Sequence, residues 1–209
     1  LRVARPADAI LAEEGAQAVG QSGLRWVIDP LDGTTNFFYG HPGFAVSIAV
    51  EDDDGPLIGV VTDPLRGDRF SAVRGRGAFH NGERISCRQL DRLDLALLAT
   101  GFGYRAERRA QQGAVVARLL PRVRDIRRVG SAALDLCSVA CGRVDAYYER
   151  GLSPWDLAAG DLIAREAGAL VTNLAGGRAS GEAVVAAGAS LHPLLLAALS
   201  DAGALEPLA

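Results

Sequence analysis

Carboxylates stand at Glu13, Asp29, Asp32, Glu149 and Asp156, each where the pattern ends a strand or opens a helix. The densest group lies in WVIDPLDGTTNF (26–37), where the apolar run Trp26, Val27, Ile28 meets Asp29 and Asp32 around Pro30. Proline stiffens the backbone between them, so the spacing predicts two acids on a rigid turn. Gly33, Thr34, Thr35 and Asn36 follow at once, a good helix opening with free backbone N–H groups. Carboxylates gather hard cations and a helix N-terminus gathers anions. A stretch holding both suits a metal-bridged phosphate. Each acid alone reads as a cap or a solvated turn, but together they form a consistent oxygen-donor set.

The elements around these residues follow from periodicity. ADAILAEE (7–14) reads as a short strand delivering Glu13 and Glu14. GFAVSIAVE alternates Phe44, Val46, Ile48 and Val50 against smaller residues, as a half-buried strand does. LIGVVTD (57–63) and DRFSAVR (68–74) continue an antiparallel meander, and Asn81-Gly82 signals a hairpin. His80 reads as a hairpin residue. LDLALLATGFGY (93–104) predicts a strand and a glycine-punctuated loop; 107–120 predicts a helix with Val115, Val116, Leu119 and Leu120 on its apolar face. The arginines between 118 and 128 read as a solvated face. GSAALDLCSVACG predicts a buried helix capped by Ser131 with its N-terminus uncovered and a stop at Gly142. VDAYYE is a strand ending in Glu149, and PWDLAAGDLIAREAG a helix with Asp156 in its first turn. ALVTNL, AVVAAG and a helix from Pro193 close the chain. Helices interleaved with a central meander predict an α/β (α+β) sandwich rather than a purely parallel sheet.

At 209 residues, 49% of them hydrophobic, the chain fits one domain, residues 1–209. A net charge of −3 gives no call for nucleic acid or an anionic membrane. No long uncharged apolar run predicts a transmembrane helix, and LRVARPADAI lacks a secretory pattern. Three cysteines, Cys87, Cys137 and Cys141, favour a reducing compartment, and cytoplasmic localisation is expected. Cys137 and Cys141 share a helix face without a nearby histidine, so they read as small hydrophobes, not zinc ligands.

DPLDGTTNF (29–37) and WDLAAGDLIAREAG (155–168) resemble the two signature motifs of the inositol monophosphatase family, and AILAEE its glutamate motif. GHPGFAVSIA, the hairpin of 75–82 and GSAALDLCSVACGRVDAY extend the likeness over essentially the whole chain. The resemblance implies a layered αβαβα sandwich with a second, smaller sheet. It implies a hydrolase acting on a small phosphorylated polyol, most directly inositol monophosphate, with two to three Mg²⁺ ions and inhibition by lithium. Glu13, Asp29, the Leu31 carbonyl and the Thr34 hydroxyl would hold the first ion; Asp29, Asp32 and Asp156 the second; a third, weaker ion would lie by Glu13. The phosphate would rest on the Gly33 and Thr34 N–H groups, and Asp32, Ser131, Ala132 and Glu149 would line the substrate. Histidinol-phosphate or other sugar-phosphate hydrolysis, and a non-catalytic RNA- or transcription-associated role, stay open as alternatives. The resemblance implies a homodimer; no membrane partner is expected, and nucleic acid is not supported. The family carries helices ahead of the glutamate motif, and with them a Thr/Asp pair that positions water. The chain begins at Leu1, without Met, in what reads as the interior of a domain. Truncation is therefore an expectation; if residues 1–209 were the whole polypeptide, weakened water activation, a weakened third ion and an uncovered apolar face would follow.

Overall fold

The computed structural model describes residues 1–15 and 17–208. Two mixed sheets carry the fold. The larger contains β1 (Ala9–Ala12), β2 (Gln17–Ala18), β3 (Arg25–Asp32), β4 (Ala45–Asp52), β5 (Gly55–Asp63), β6 (Asp68–Val73), β7 (Gly77–His80) and β8 (Glu83–Ile85), in the order β2-β1-β3-β4-β5-β6-β7-β8. From β3 onward it is the expected antiparallel meander, while β1 runs parallel to β3. The smaller contains β9 (Leu97–Thr100), β10 (Asp125–Arg127), β11 (Ala146–Glu149), β12 (Leu170–Thr172) and β13 (Val184–Ala187), in the order β10-β9-β11-β13-β12. The helices are α1 (Thr34–Tyr39), α2 (Ala106–Leu119), α3 (Ala132–Ala140), α4 (Pro154–Glu166) and α5 (Leu191–Asp201).

The apolar faces dictate the layering. α3 and α4 are buried on both sides. Leu134, Cys137, Ala159, Leu162 and Ile163 meet Val27, Val61 and Phe70 of the large sheet. Leu136, Val139, Leu157 and Ala164 meet Ala99, Tyr147 and Val184 of the small one. The other face of the small sheet receives α2 and α5 through Val115, Leu119, Leu195 and Leu199. Among the described residues the order is therefore large sheet, helix pair, small sheet, helix pair. The outer face of the large sheet keeps Val46, Ile58 and Val73 exposed.

The alternation in β4 is real, but its buried face is the small one. Ala45, Ser47 and Ala49 are each 1% exposed, whereas Val46 is 38% exposed. α4 presses so close that a methyl at Gly59, beside Ala49 in β5, would lie 2.9 Å from the Ala159 carbonyl oxygen. Only short side chains fit beneath that backbone.

The strand carrying the two aspartates is also longer than the apolar run suggests. β3 continues through Pro30 to Asp32, and its pairing with β4 shifts between Asp29↔Ser47 and Asp32↔Ala45. Three residues on β3 thus span two on β4, a bulge in which proline needs no ladder N–H. In a regular strand, positions three apart face opposite sides. The extra residue cancels that parity, and Asp29 and Asp32 are both buried, 1% and 8% exposed.

Candidate metal and phosphate site

Asp29, Asp32 and Asp156 converge, offering one ligand oxygen each within 4.8 Å of one another. Each is placed by a different device. The Leu31 N–H donates to Asp29 Oδ1 (2.9 Å), holding the carboxylate across the bulge. Asp32 Oδ2 accepts from the Ser131 hydroxyl (2.6 Å) and the Ala133 N–H (2.9 Å). Asp156, third residue of α4, accepts from the Ser153 N–H (2.7 Å) and completes a capping box. The helix-cap reading of Asp156 is thus met, and the same carboxylate stands in the acidic trio. Glu13 lies outside the tight trio. It follows β1, its N–H donates to the Ile28 carbonyl (3.2 Å), and its carboxylate sits against Asp29.

Burial and mutual repulsion act on the whole group. Burial, more than the charges of Asp32 and Glu13, pushes Asp29 up to about 8 against the opposing Leu31 N–H. Burial lifts Asp32 to about 6 despite its two donors. Asp156 is raised, first by burial and then by the charge of Glu13. Glu149 is raised to about 7 by burial, with the Tyr147 hydroxyl (2.7 Å) and Arg128 opposing. Acids gathered so closely with no cationic side chain in the trio fit hard divalent cations, which need several carboxylate oxygens.

The acids open into a cavity of about 340 Å³ also lined by Leu31, Gly33, Thr34, Ala132 and Glu149. The Thr34 hydroxyl donates to the Leu31 carbonyl (2.9 Å), so these two expected ligands are neighbours. The N-cap of α1 is Gly33, whose φ of 89° excludes most side chains and where a Cβ would lie 2.6 Å from the Gly43 carbonyl oxygen. α1 has six residues, so it brings little dipole, and any anion here would depend on local N–H groups.

The structure also revises two readings around α3. Its N-terminus is not uncovered, because the Asp32 carboxylate sits on it. Ser131 does cap the helix, accepting from the Leu134 N–H (3.2 Å), but it is 1% exposed and off the cavity wall. Its hydroxyl is engaged by Asp32.

Residues not singled out in the sequence complete the site. A methyl at Gly101 would lie 1.9 Å from Glu149 Oε2, so this glycine makes room for the acid. The Gly-punctuated loop supplies Phe102 and Tyr104 to the cavity, the start of α2 supplies Arg105 and Arg108, and the arginine run supplies Arg128. Other arginines of that run are tied down internally: Arg118 to the Ala202 carbonyl, Arg122 to Asp201, Arg127 to Asp125. Asp135 is buried beside the site, and neither carboxylate oxygen has a hydrogen-bond partner among the described protein groups. Burial raises it strongly, Glu149 and Asp32 adding to the effect.

The other candidates keep structural roles. Cys87 and Cys137 are buried thiols and Cys141 a partly buried one, with no disulfide. His80 stacks on Phe70 (4.6 Å) and pairs with Asp68 (2.7 Å). No helix among the described residues is long and apolar enough to cross a membrane.

The acidic cluster at the end of β3 and the mostly buried Glu149 thus line one polar cavity. The chain belongs to the inositol monophosphatase family, whose model matches residues 1–204. It is 48% identical over 216 residues to the Mycobacterium tuberculosis (strain ATCC 25618 / H37Rv) protein named inositol-1-monophosphatase SuhB, covering 98% of this chain and 74% of that one. It is 48% identical over 174 residues to the Vibrio cholerae protein named Nus factor SuhB, covering 82% and 65%. Among solved structures, the extragenic suppressor protein suhB of Bartonella henselae superposes with a TM-score of 0.90 at 39% identity, covering 95% of this chain and 78% of that one.

Proposed function

We propose that this protein is a Mg²⁺-dependent phosphomonoesterase that releases phosphate from a small polyol phosphate, inositol monophosphate foremost. The observation that carries this reading is the convergence of Asp29, Asp32 and Asp156 within 4.8 Å at the mouth of a cavity that also holds Glu149. Asp29, Asp32 and Asp156, with Glu13 and the Leu31 carbonyl, are the residues that would hold the ions, and the Thr34 hydroxyl belongs to the same group. When bound, the ions supply charge neutralisation at the phosphate and acidify the attacking water.

The chain's own residues do the positioning. Ser131 and the Ala133 N–H fix the plane of the Asp32 carboxylate. The Gly33 and Thr34 N–H groups receive the phosphate oxygens. Glu149, oriented by the Tyr147 hydroxyl, accepts hydrogen bonds from the polyol ring, as does Asp32. Water is the nucleophile, so no side-chain nucleophile is required; the buried thiols fit that view. Phosphate-monoester hydrolysis is so slow uncatalysed that positioning and charge neutralisation must supply most of the acceleration.

The relative named Nus factor suggests a role in transcription complexes. The internal pairing of Arg118, Arg122 and Arg127 gives no support to a basic RNA-binding face here. A homodimer and cytoplasmic residence belong to the same proposal, and light scattering on the purified protein tests the first.

Phosphate release from inositol 1-phosphate, with Mg²⁺ and then with chelator, tests the central reading. Activity is expected only with the metal, and Asp29→Asn abolishes it. Turnover that survives chelation, or survives Asp29→Asn, rejects the mechanism.

A further inference from the structure

Two segments far apart in the chain meet at the acidic site, and two hydrogen-bonded bridges join them. The first runs from the Asp32 carboxylate to the Ser131 hydroxyl and the Ala133 N–H. The second runs from Asn36, third residue of α1, to the Val129 carbonyl, 93 positions along the chain. Asp32 and Asn36 stand four residues apart, and Val129 two before Ser131. The bridges therefore close a small ring that contains the Gly33-Thr34 turn. One bridge alone leaves the segments free to pivot about it; two, spaced apart, fix the angle between them.

The first helix depends on such a tie. It has six residues, no buried side chain, and an N-cap glycine that makes no side-chain hydrogen bond. A helix so short does not hold itself. The Phe37 ring meets Phe44 edge-on at 5.2 Å and the Thr34 hydroxyl reaches the Leu31 carbonyl, but both contacts stay within the same stretch of chain. Asn36 reaches beyond it. Its Nδ2 donates to the Gly43 carbonyl and to the Val129 carbonyl, each at 2.8 Å. Two carbonyl oxygens at one end of an amide require the NH2 group there, and both of its hydrogens are used.

The backbone leaves room for that amide and little else. A methyl at Gly130 would lie 3.0 Å from Nδ2, and one at Gly43 would lie 3.2 Å from it. The Gly43 carbonyl that Asn36 holds is the same one that presses on Gly33. Asn36 thus touches the turn through Gly43 on one side and the approach to α3 through Val129 and Gly130 on the other.

We propose that Asn36 is a positioning residue: by tying Gly43 to Val129, it sets the Gly33 and Thr34 N–H groups at the angle to the Asp32 carboxylate that a bound phosphate needs. The inference rests on the phosphomonoesterase reading and adds to it a residue that acts without touching substrate. Misplacing such an alignment by about 1 Å costs about a hundredfold in rate.

Asn36→Asp and Asn36→Ser test this, since both remove the paired donors and only the first adds a charge. In both, kcat/KM for inositol 1-phosphate is expected to fall about a hundredfold. Inorganic phosphate, titrated calorimetrically in Mg²⁺, is expected to bind about tenfold more weakly, the size of one lost hydrogen bond. Amide hydrogen exchange read by NMR supplies the structural signature. The Ala133 N–H, donor to Asp32, should lose protection about tenfold while the amides of β13 keep theirs. Unchanged turnover and phosphate affinity in both variants, or unchanged Ala133 protection, overturns the inference. A loss confined to Asn36→Asp assigns the effect to charge and overturns it as well. So does a loss of protection throughout β13, which would make Asn36 a support of the whole fold. If the wild-type protein neither cleaves inositol 1-phosphate nor binds phosphate, the phosphomonoesterase reading fails, and the exchange of Ala133 alone decides whether Asn36 holds the two segments in place.

Discussion

Asp156 combines two roles that one pair of substitutions can separate. Its carboxylate closes the capping box of α4 on the Ser153 N–H at 2.7 Å, and it belongs to the acidic trio. Asp156→Asn keeps an acceptor for the cap and removes one charge from a repelling group. Asp156→Ala loses both. A cap of this kind contributes about 1 kcal/mol, or roughly 2–4 °C in a chain of this size. Without metal, the asparagine variant is therefore expected to melt at or above wild type, and the alanine variant below the asparagine variant by that amount. If the trio holds Mg²⁺ as proposed, the ion at about 100 times its Kd is expected to stabilise the wild type by about 2.7 kcal/mol, roughly 5–10 °C. In both variants this metal-dependent rise is expected to fall to a small fraction. Differential scanning fluorimetry of the three proteins, with chelator and with Mg²⁺, reads all of these shifts. If Asp156→Asn keeps the full Mg²⁺ shift, Asp156 is not a ligand and the trio is a structural cluster.

Further outcomes follow from the same geometry. Gly101→Ala places a methyl 1.9 Å from Glu149 Oε2, forcing the acid off Tyr147; a KM rise of about tenfold is expected with about 1–3 kcal/mol lost in stability. In a cycle with Glu149→Gln the two KM effects should be strongly non-additive, and additivity would show that Gly101 acts elsewhere. Because burial holds Asp29 near 8 and Asp32 near 6, protons compete with cations, and Mg²⁺ affinity should climb as pH rises from 6 to 8. Metal-free stability runs the other way. Folded-state values above the ordinary carboxylate range mean stability is fullest below about 4 and is lost as pH rises toward 8. Melting curves in chelator that rise over that window contradict this. Asp135→Asn, which removes a buried carboxyl lacking protein partners, should leave thermal stability at pH 7 unchanged or higher; a drop of several degrees would mean the ionised form is needed.

Local signals made much of the fold and site legible. Ser131 as cap, the stop near Gly142, the Asn81-Gly82 turn and the strand ending at Glu149 all depend on neighbours within a few residues. The acids were legible because motif spacing tied them together. What stayed hidden depends on contacts across the chain. The Asp32 carboxylate on the N-terminus of α3 joins segments about a hundred residues apart. Gly101 acquires meaning only once Glu149 lies beside it. The buried face of β4 was hidden for a similar reason: hydrophobicity marks the larger residues, whereas the nearness of α4 selects the smaller ones. The bulge at Pro30 was hidden because an odd spacing normally separates two side chains instead of uniting them.

Glu13 differs from the trio in how firmly the fold holds it. Asp29, Asp32 and Asp156 sit on elements packed into the core, while Glu13 follows a four-residue strand whose outer neighbour, β2, has two residues. Short edge strands open at low free-energy cost, well below that of global unfolding. If the four carboxylates hold metal as proposed, Glu13 is the one that leaves and returns while the other three stay in place. An ion that depends on Glu13 would exchange with solvent at the rate of that edge opening, and a cation held by the trio alone would outlast it. The lifetimes of the two ions, and not only their affinities, would then be set by where each carboxylate sits in the sheet.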